Sequence, residues 1–455
     1  MSKTENKLTE GSITKTLIIF SLPFIGSFLL QALYSIVDLL IVSHFAGTYS
    51  ISGLNIVAQL TDMVLGFAIG FLSGATVLIA QYLGAGKKED MKKTIQTSFT
   101  FVLVLGLIIT VVMLVMVHPI LNLLHTPAES YQEAYRYYMV VMAGIVFIFM
   151  YNAIASILRG MGDSKHPMYF VLIATLSNII LDLIFIGKYQ MGAGGAALAT
   201  VIAQALSVVI SVVYLKKIDF PFDFRLSSFR IDKKTLHNLM RLGLPSAFQN
   251  TILNVSLVFL IGMANLLGVY ASAAVGIAAK INVIFILPNV ALHSALAAIV
   301  GQNVGAGKLE RGVKTARLEF VISAAYSLVI CGIMWFFSRE LLHIFTNDPN
   351  TLQVGAQYFK GHCWDYFIVM PLAYCLGGLY IGTGHTMYVA IANLCGAVIS
   401  RMPLAYVLSQ LAGFGVLGIG IAYPISTAVT VTVYLIFLKM GKWKETAVKE
   451  LRQDL

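Results

Sequence analysis

Two carboxylates, an amide and a hydroxyl are the side chains of this chain best placed to do chemistry: Asp38, Asp182, Asn178 and Thr200. Both acids lie inside otherwise apolar stretches. An ionisable group there costs about 2.5–3.5 kcal/mol on insertion scales, so each is a candidate for function. Asn178 precedes Asp182 by four residues, which puts both on one face of a helix. Ser27, Gln31, Tyr34 and Asp38 follow i, i+4, i+7 and i+11, a polar stripe that must face a wet cavity or another helix rather than lipid. Asp38 and Asp182 each precede a turn, near His44 and Lys188, by about six residues, and Thr200 follows the turn at Gly194 by about six. All three then lie roughly 9 Å below the outer ends of their helices. Carboxylates at one depth repel, so such a pair can share a proton. With Asn178 and Thr200 adding neutral oxygens, and water, the same set could instead coordinate Na⁺. A third reading, hydrogen-bonded cross-linking of helices alone, is a costly use of two acids with no basic partner in view.

The other intramembrane charges singled out are Asp62, Arg136, Lys280, Asp365 and Arg401. Asp365 and Arg401 fall near the middle of their spans and are expected to form a buried ion pair, the alternative being a role in binding substrate. Partners for Asp62, Arg136 and Lys280 are not evident. The doubled Gly-Ala-Gly-Lys run, at Lys87 and Lys308, is not a phosphate loop, because neither copy follows a strand or has the GxxxxGK[ST] spacing. Both read as helix C-terminal stops.

The elements that must hold these residues follow from composition. Of 455 residues, 58% are hydrophobic and 11% charged, and mean hydropathy is +0.83, which implies an all-α polytopic membrane protein and excludes a large soluble catalytic module. Apolar runs give twelve spans, several near 30 residues. Twenty-five of the 31 Lys and Arg fall on one side of this arrangement and two, Lys188 and Arg339, on the other. That asymmetry predicts cytoplasmic termini and explains the net charge of +10 without a nucleic-acid partner. Cys331, Cys363, Cys375 and Cys395 all lie in apolar segments, so no disulfide framework is expected. The first span, with Pro23 and Asp38, is expected to be a retained helix rather than a signal peptide.

The chain repeats itself. Ser21-Leu-Pro23 recurs as Gly243-Leu-Pro245, Gln81 to Lys87 as Gln302 to Lys308, Arg159 to Gly162 as Ile381 to Gly384, and Gly195 to Ala199 as Gly418 to Ala422. The offsets of 222, 221, 222 and 223 define one six-helix unit used twice in the same orientation. The expected organisation is an N-lobe over 1–217, a cytoplasmic connector over 218–236, a C-lobe over 237–440 and a cytoplasmic tail over 441–455. The repeat register maps Asp38, Asn178, Asp182 and Thr200 onto Leu260, Ser400, Leu404 and Tyr423, so both acids are confined to the first half.

These motifs together, over residues 13–440, resemble the multidrug and toxic compound extrusion (MATE) family, and Asn178-Ile-Ile-Leu-Asp182 resembles its DNA-damage-inducible-type branch. The resemblance implies a V-shaped pair of six-helix lobes exporting organic cations and drugs in exchange for H⁺ or Na⁺. It implies a cation or proton site at Asp38, Asn178, Asp182 and Thr200, these being the metal ligands if sodium couples, and a first helix that bends about Pro23. It also assigns Gln31 and Tyr34, with Asn152, to a substrate cavity. A C-lobe sodium site is not expected, because the seventh helix carries no acid to partner Asp365. The expected protein is a monomeric secondary antiporter of the plasma or inner membrane, with no cofactor and no enzymatic activity. Its partners are small organic molecules, H⁺ or Na⁺ and the lipid bilayer. A flippase for lipid-linked saccharides is the alternative, and a membrane-embedded enzyme the remote one.

Overall fold

A computed structural model describes residues 8–218 and 220–445. Among them are twelve helices long and apolar enough to cross a membrane. In chain order they are α1 Ile13–Phe45, α2 Tyr49–Gly84, α3 Lys88–Val115, α4 Ala128–Gly160, α5 Lys165–Lys188, α6 Gly192–Lys217, α7 Lys233–Leu266, α8 Val269–Gly305, α9 Leu309–Phe336, α10 Pro349–Gly382, α11 Thr386–Leu411 and α12 Gly415–Met440. A helix satisfies every backbone group within its own segment, which is what an apolar stretch in lipid requires. Side chains such as Val111, Val115, Ile180, Val258 and Phe336 are exposed, as lipid-facing residues are. At 33 residues α1 is about 50 Å long, more than the hydrocarbon thickness, so it must tilt or protrude.

The repeat reappears in three dimensions. Gly86, Gly162, Gly307 and Gly384 end their helices with φ of 70°, 87°, 70° and 86°, at corresponding points of the two halves. Short helices Val117–Leu123 and Ser338–His343 likewise follow α3 and α9 at equivalent positions. Asp348 caps α10 by accepting from the Thr351 N–H at 2.8 Å and from its hydroxyl at 2.6 Å. Those bonds hold its carboxyl below the ordinary carboxylate range.

By compactness the chain forms two units. Among the described residues one comprises 23–79, 87–218 and 220–240, the other 8–22, 80–86 and 241–445, so the change of unit within α1 falls at Pro23. The core of the second unit centres on Leu260, Met263, Tyr358, Phe359, Tyr366 and Ile419. In that unit Leu8 to Gly11 lie against α8, α9 and the turn between them. Asn303 donates to the Leu8 carbonyl at 3.1 Å and Lys308 to Thr9 at 3.3 Å, while Arg311 donates to Glu10 at 2.7 Å and Gly11 at 2.8 Å. The same unit holds both copies of the Gly-Ala-Gly run. A Cβ on Gly84 would collide with the Gln302 carbonyl oxygen, and one on Gly305 with that of Gln81. The four cysteines are unpaired; Cys331, Cys363 and Cys375 are buried and Cys395 is half-buried.

The segment between α6 and α7 is docked, not loose. Phe222, 2% exposed, stacks on Phe99 of α3 with ring centroids 5.0 Å apart and meets Phe229 edge-on. The Thr97 and Thr100 hydroxyls bond the backbone of Asp232 and Arg230. Phe222→Ser should therefore destabilise the protein by about 3 kcal/mol, as removal of a buried aromatic does. Protease cleavage between residues 218 and 232 reads this out, and a cleavage rate unchanged from wild type would show that the ring does not anchor the segment.

Candidate functional site

Three helices of the first unit converge on the predicted acids. Tyr34 and Asp38 come from α1, Asn178 and Asp182 from α5, and Thr200 from α6. Tyr34 Oη lies 2.9 Å from Thr200 Oγ1. With its amide oriented to satisfy both ends, Asn178 donates to Asp182 Oδ2 at 2.8 Å and accepts from the Thr200 N–H at 3.2 Å. The carboxyl groups of Asp38 and Asp182 lie within electrostatic range of each other. Two carboxyls so placed hydrogen-bond only when one carries a proton, because two anions offer acceptors and no donor. Oδ1 of each acid is buried without a partner. Asp182 is 0% and Asn178 1% exposed, whereas Asp38 keeps 9%, so what access there is comes from the Asp38 side. The arrangement can hold one proton between two acids, or offer their free oxygens to a cation.

Local backbone sharpens the site. From Leu183 to Lys188 the α5 helix widens into a π-helical turn immediately after Asp182. Such turns interrupt the regular hydrogen-bond ladder and recur at functional sites. The same happens at Asp365–Val369 in α10 and at Leu394–Arg401 in α11.

Two neighbours of the site carry no sequence signal. Tyr137 of α4 is buried and lies within electrostatic range of Asp38, Asp62 and Asp182. Glu133, three residues before the exposed Arg136 and paired with it at 3.4 Å, accepts from Ser50 Oγ at 2.9 Å and from the Ala193 N–H at 2.8 Å. It thereby caps α6, the helix that carries Thr200, and ties it to α2.

Other expected positions stand apart. Gln31 is exposed, and Asn152 donates to the Ile148 carbonyl of its own helix at 2.8 Å; neither bonds the acid cluster. Ser27 turns back to the Pro23 carbonyl at 2.8 Å, and α1 runs on through the buried Pro23 as one helix. Asp62 and Lys280 are exposed.

Asp365 and Arg401 lie within electrostatic range of each other but do not make the expected direct ion pair. Arg401 donates through Nε to Ser426 Oγ at 2.9 Å and lies over the Tyr423 ring at 4.6 Å. Asp365 and Arg401 both line one cavity of about 240 Å³ in the second unit. Glu319 of α9, not among the residues the sequence singled out, is fully buried next to Cys375.

Comparison with known proteins agrees with this architecture. The MatE family profile matches residues 23–184 and 245–407, one match in each half of the repeat. "Probable multidrug resistance protein YoeA" of Bacillus subtilis (strain 168) is 26% identical over 454 residues, covering 98% of each chain. "Probable multidrug resistance protein YpnP" of the same organism is 27% identical over 443 residues, covering 96% of this chain and 97% of that one. Among solved structures, a MOP superfamily transporter from Pyrococcus furiosus superimposes with a TM-score of 0.91 at 22% identity, over 98% of this chain and 100% of that one. With its profile matched across both six-helix repeats and its relatives aligned nearly end to end, this multi-pass membrane protein belongs to the MatE family of transporters.

Proposed function

We propose that the protein is a proton-coupled antiporter of the plasma membrane, exporting amphipathic organic cations as a monomer with both termini cytoplasmic. The observation that carries this reading is the burial of Asp38 and Asp182 in one cluster with Tyr34, Asn178 and Thr200. The relatives' multidrug resistance names support export of drug-like compounds. A proton taken up from outside neutralises the pair, and loss of its negative charge weakens the hold on a cationic substrate. Release of that proton inside restores the charge. One charge crossing 100 mV supplies about 2.3 kcal/mol, enough for a roughly fiftyfold gradient. The working partition is an N-lobe over 1–217 that holds the coupling site, joined by 218–236 to a C-lobe over 237–440.

Proton and sodium coupling separate at the neutral oxygens. A proton needs a carboxyl group, whereas Na⁺ must replace its hydration shell with several oxygens. Thr200→Val should therefore leave the pH dependence of efflux largely unchanged, whereas Asn178→Leu, which removes the bond to Asp182, should move it to higher pH without adding a sodium requirement. A rise in the Na⁺ concentration for half-maximal efflux would show sodium coupling. Vesicle efflux that follows an inward Na⁺ gradient at clamped pH and voltage, and ignores a pH gradient, would overturn the proton assignment.

A further inference from the structure

The second unit contains the cavity just described, and its chemistry differs from that of the Asp38–Asp182 site. Arg401 is the decisive residue. Its Nε is committed to Ser426 Oγ at 2.9 Å and one face of its guanidinium covers Tyr423. Its two terminal nitrogens have no partner among the described residues, and no acid among them forms an ion pair with it. An arginine fixed at Nε and on one face presents its remaining edge as a planar pair of donors, the geometry that matches a carboxylate with two parallel bonds.

The residues lining the same cavity include acceptors without donors. The Tyr366 hydroxyl and His362 Nε2, the latter at 3.2 Å, both approach Asn282 Oδ1. An amide oxygen only accepts, so His362 must carry its proton on Nε2, and its Nδ1 is a bare acceptor. That Nδ1 is buried without a partner, and so is Asp365 Oδ1. Leu253, Ile286 and Met370 supply apolar wall. At about 240 Å³ the space falls just below the roughly 300–1,000 Å³ of sites for drug-sized ligands.

We propose that this cavity binds a small organic acid of amphipathic character, its carboxylate paired with Arg401 and a hydroxyl or ammonium group donating to Asp365 and His362. Nothing in this assignment depends on what the Asp38–Asp182 pair does.

Calorimetric titration of the purified full-length protein with benzoate, benzamide, benzylammonium and 4-(aminomethyl)benzoate tests it. Benzoate and benzamide share ring and size and differ in the charge offered to Arg401. Benzoate should bind at least about tenfold more tightly than benzamide, the worth of a charge-assisted bond, and 4-(aminomethyl)benzoate more tightly still. Arg401→Gln should erase the preference for benzoate, Arg401→Lys should keep part of it, and Asp365→Asn should remove only the gain from the aminomethyl group. Melting curves of the variants report folding, and if Arg401→Gln does not fold, the wild-type ranking decides alone. Equal binding of benzoate and benzamide, or a folded Arg401→Gln that keeps the preference, would each overturn the proposal.

Discussion

Asp38→Asn should cut efflux of a cationic dye between about 5- and 150-fold, the range of free energies by which one bound species changes another's affinity, while expression and membrane insertion stay at wild-type levels. The substitution nearly preserves volume. An asparagine at position 38 can still bond Asp182, so the packing around the 0%-exposed Asp182 has little cause to change. What it cannot do is take up and release a proton. Asp182→Asn should fall as far, and the double variant no further than either single one, because the two acids act as one proton-binding unit. A second readout is direct: the variants should bind dye with an affinity that no longer varies with pH. Transport by Asp38→Asn at the wild-type rate would remove the first unit from the coupling mechanism. Additive losses in the double variant would show that the acids titrate separately.

Gly305→Val and Gly84→Val should each lower the melting temperature of the purified protein by roughly 5 °C or more and reduce folded yield. At each position the atom in the way is a backbone carbonyl oxygen, Gln81 for Gly305 and Gln302 for Gly84. A side chain can change rotamer to make room, but a carbonyl within a helix moves only with the helix. Gly86 and Gly307, two residues on in each copy, have positive φ, and Gly86 has nothing within 4 Å of its would-be Cβ. Gly86→Asn should therefore be mild, since Asn tolerates the left-handed region. Gly305→Val melting at the wild-type temperature would mean that the two helices separate freely at this crossing.

These glycines show where sequence reasoning stopped. Reading the doubled Gly-Ala-Gly-Lys run as a pair of helix stops holds at Gly86 and Gly307, where φ is 70°. The run gave no sign that Gly84 and Gly305 serve close approach, because the crossing is made by residues 218 and 224 apart in the chain. Twelve spans and the repeat were legible since hydropathy and spacing are local. Asp38, Asp182 and Thr200 were brought to one depth by counting residues from the helix ends, a coarse measure that survives the π-helical turn at Leu183–Lys188. Reading which faces meet needs regular helices. It fails at Asp365 and Arg401, where π-helical turns at Asp365–Val369 and Leu394–Arg401 add residues to the turn. One added residue rotates everything beyond it by about 100°, so a face drawn at 3.6 residues per turn no longer predicts which side chains meet. Glu319 escaped for a different reason. It follows Lys314 and Arg317 at the basic end of α9 and reads as one more loop charge, yet it is fully buried.

The distribution of thiols has a practical meaning for measuring motion. Three of the four cysteines are buried and none is bonded to another, so a bulky maleimide or nitroxide reagent meets little native competition. Only Cys395, half-buried in the π-helical turn of α11, needs replacing before spin or fluorophore pairs are introduced at chosen positions. Interprobe distances during turnover could then be recorded on a chain that differs from the natural one by a single background change, with Cys331, Cys363 and Cys375 left in the packing they already occupy.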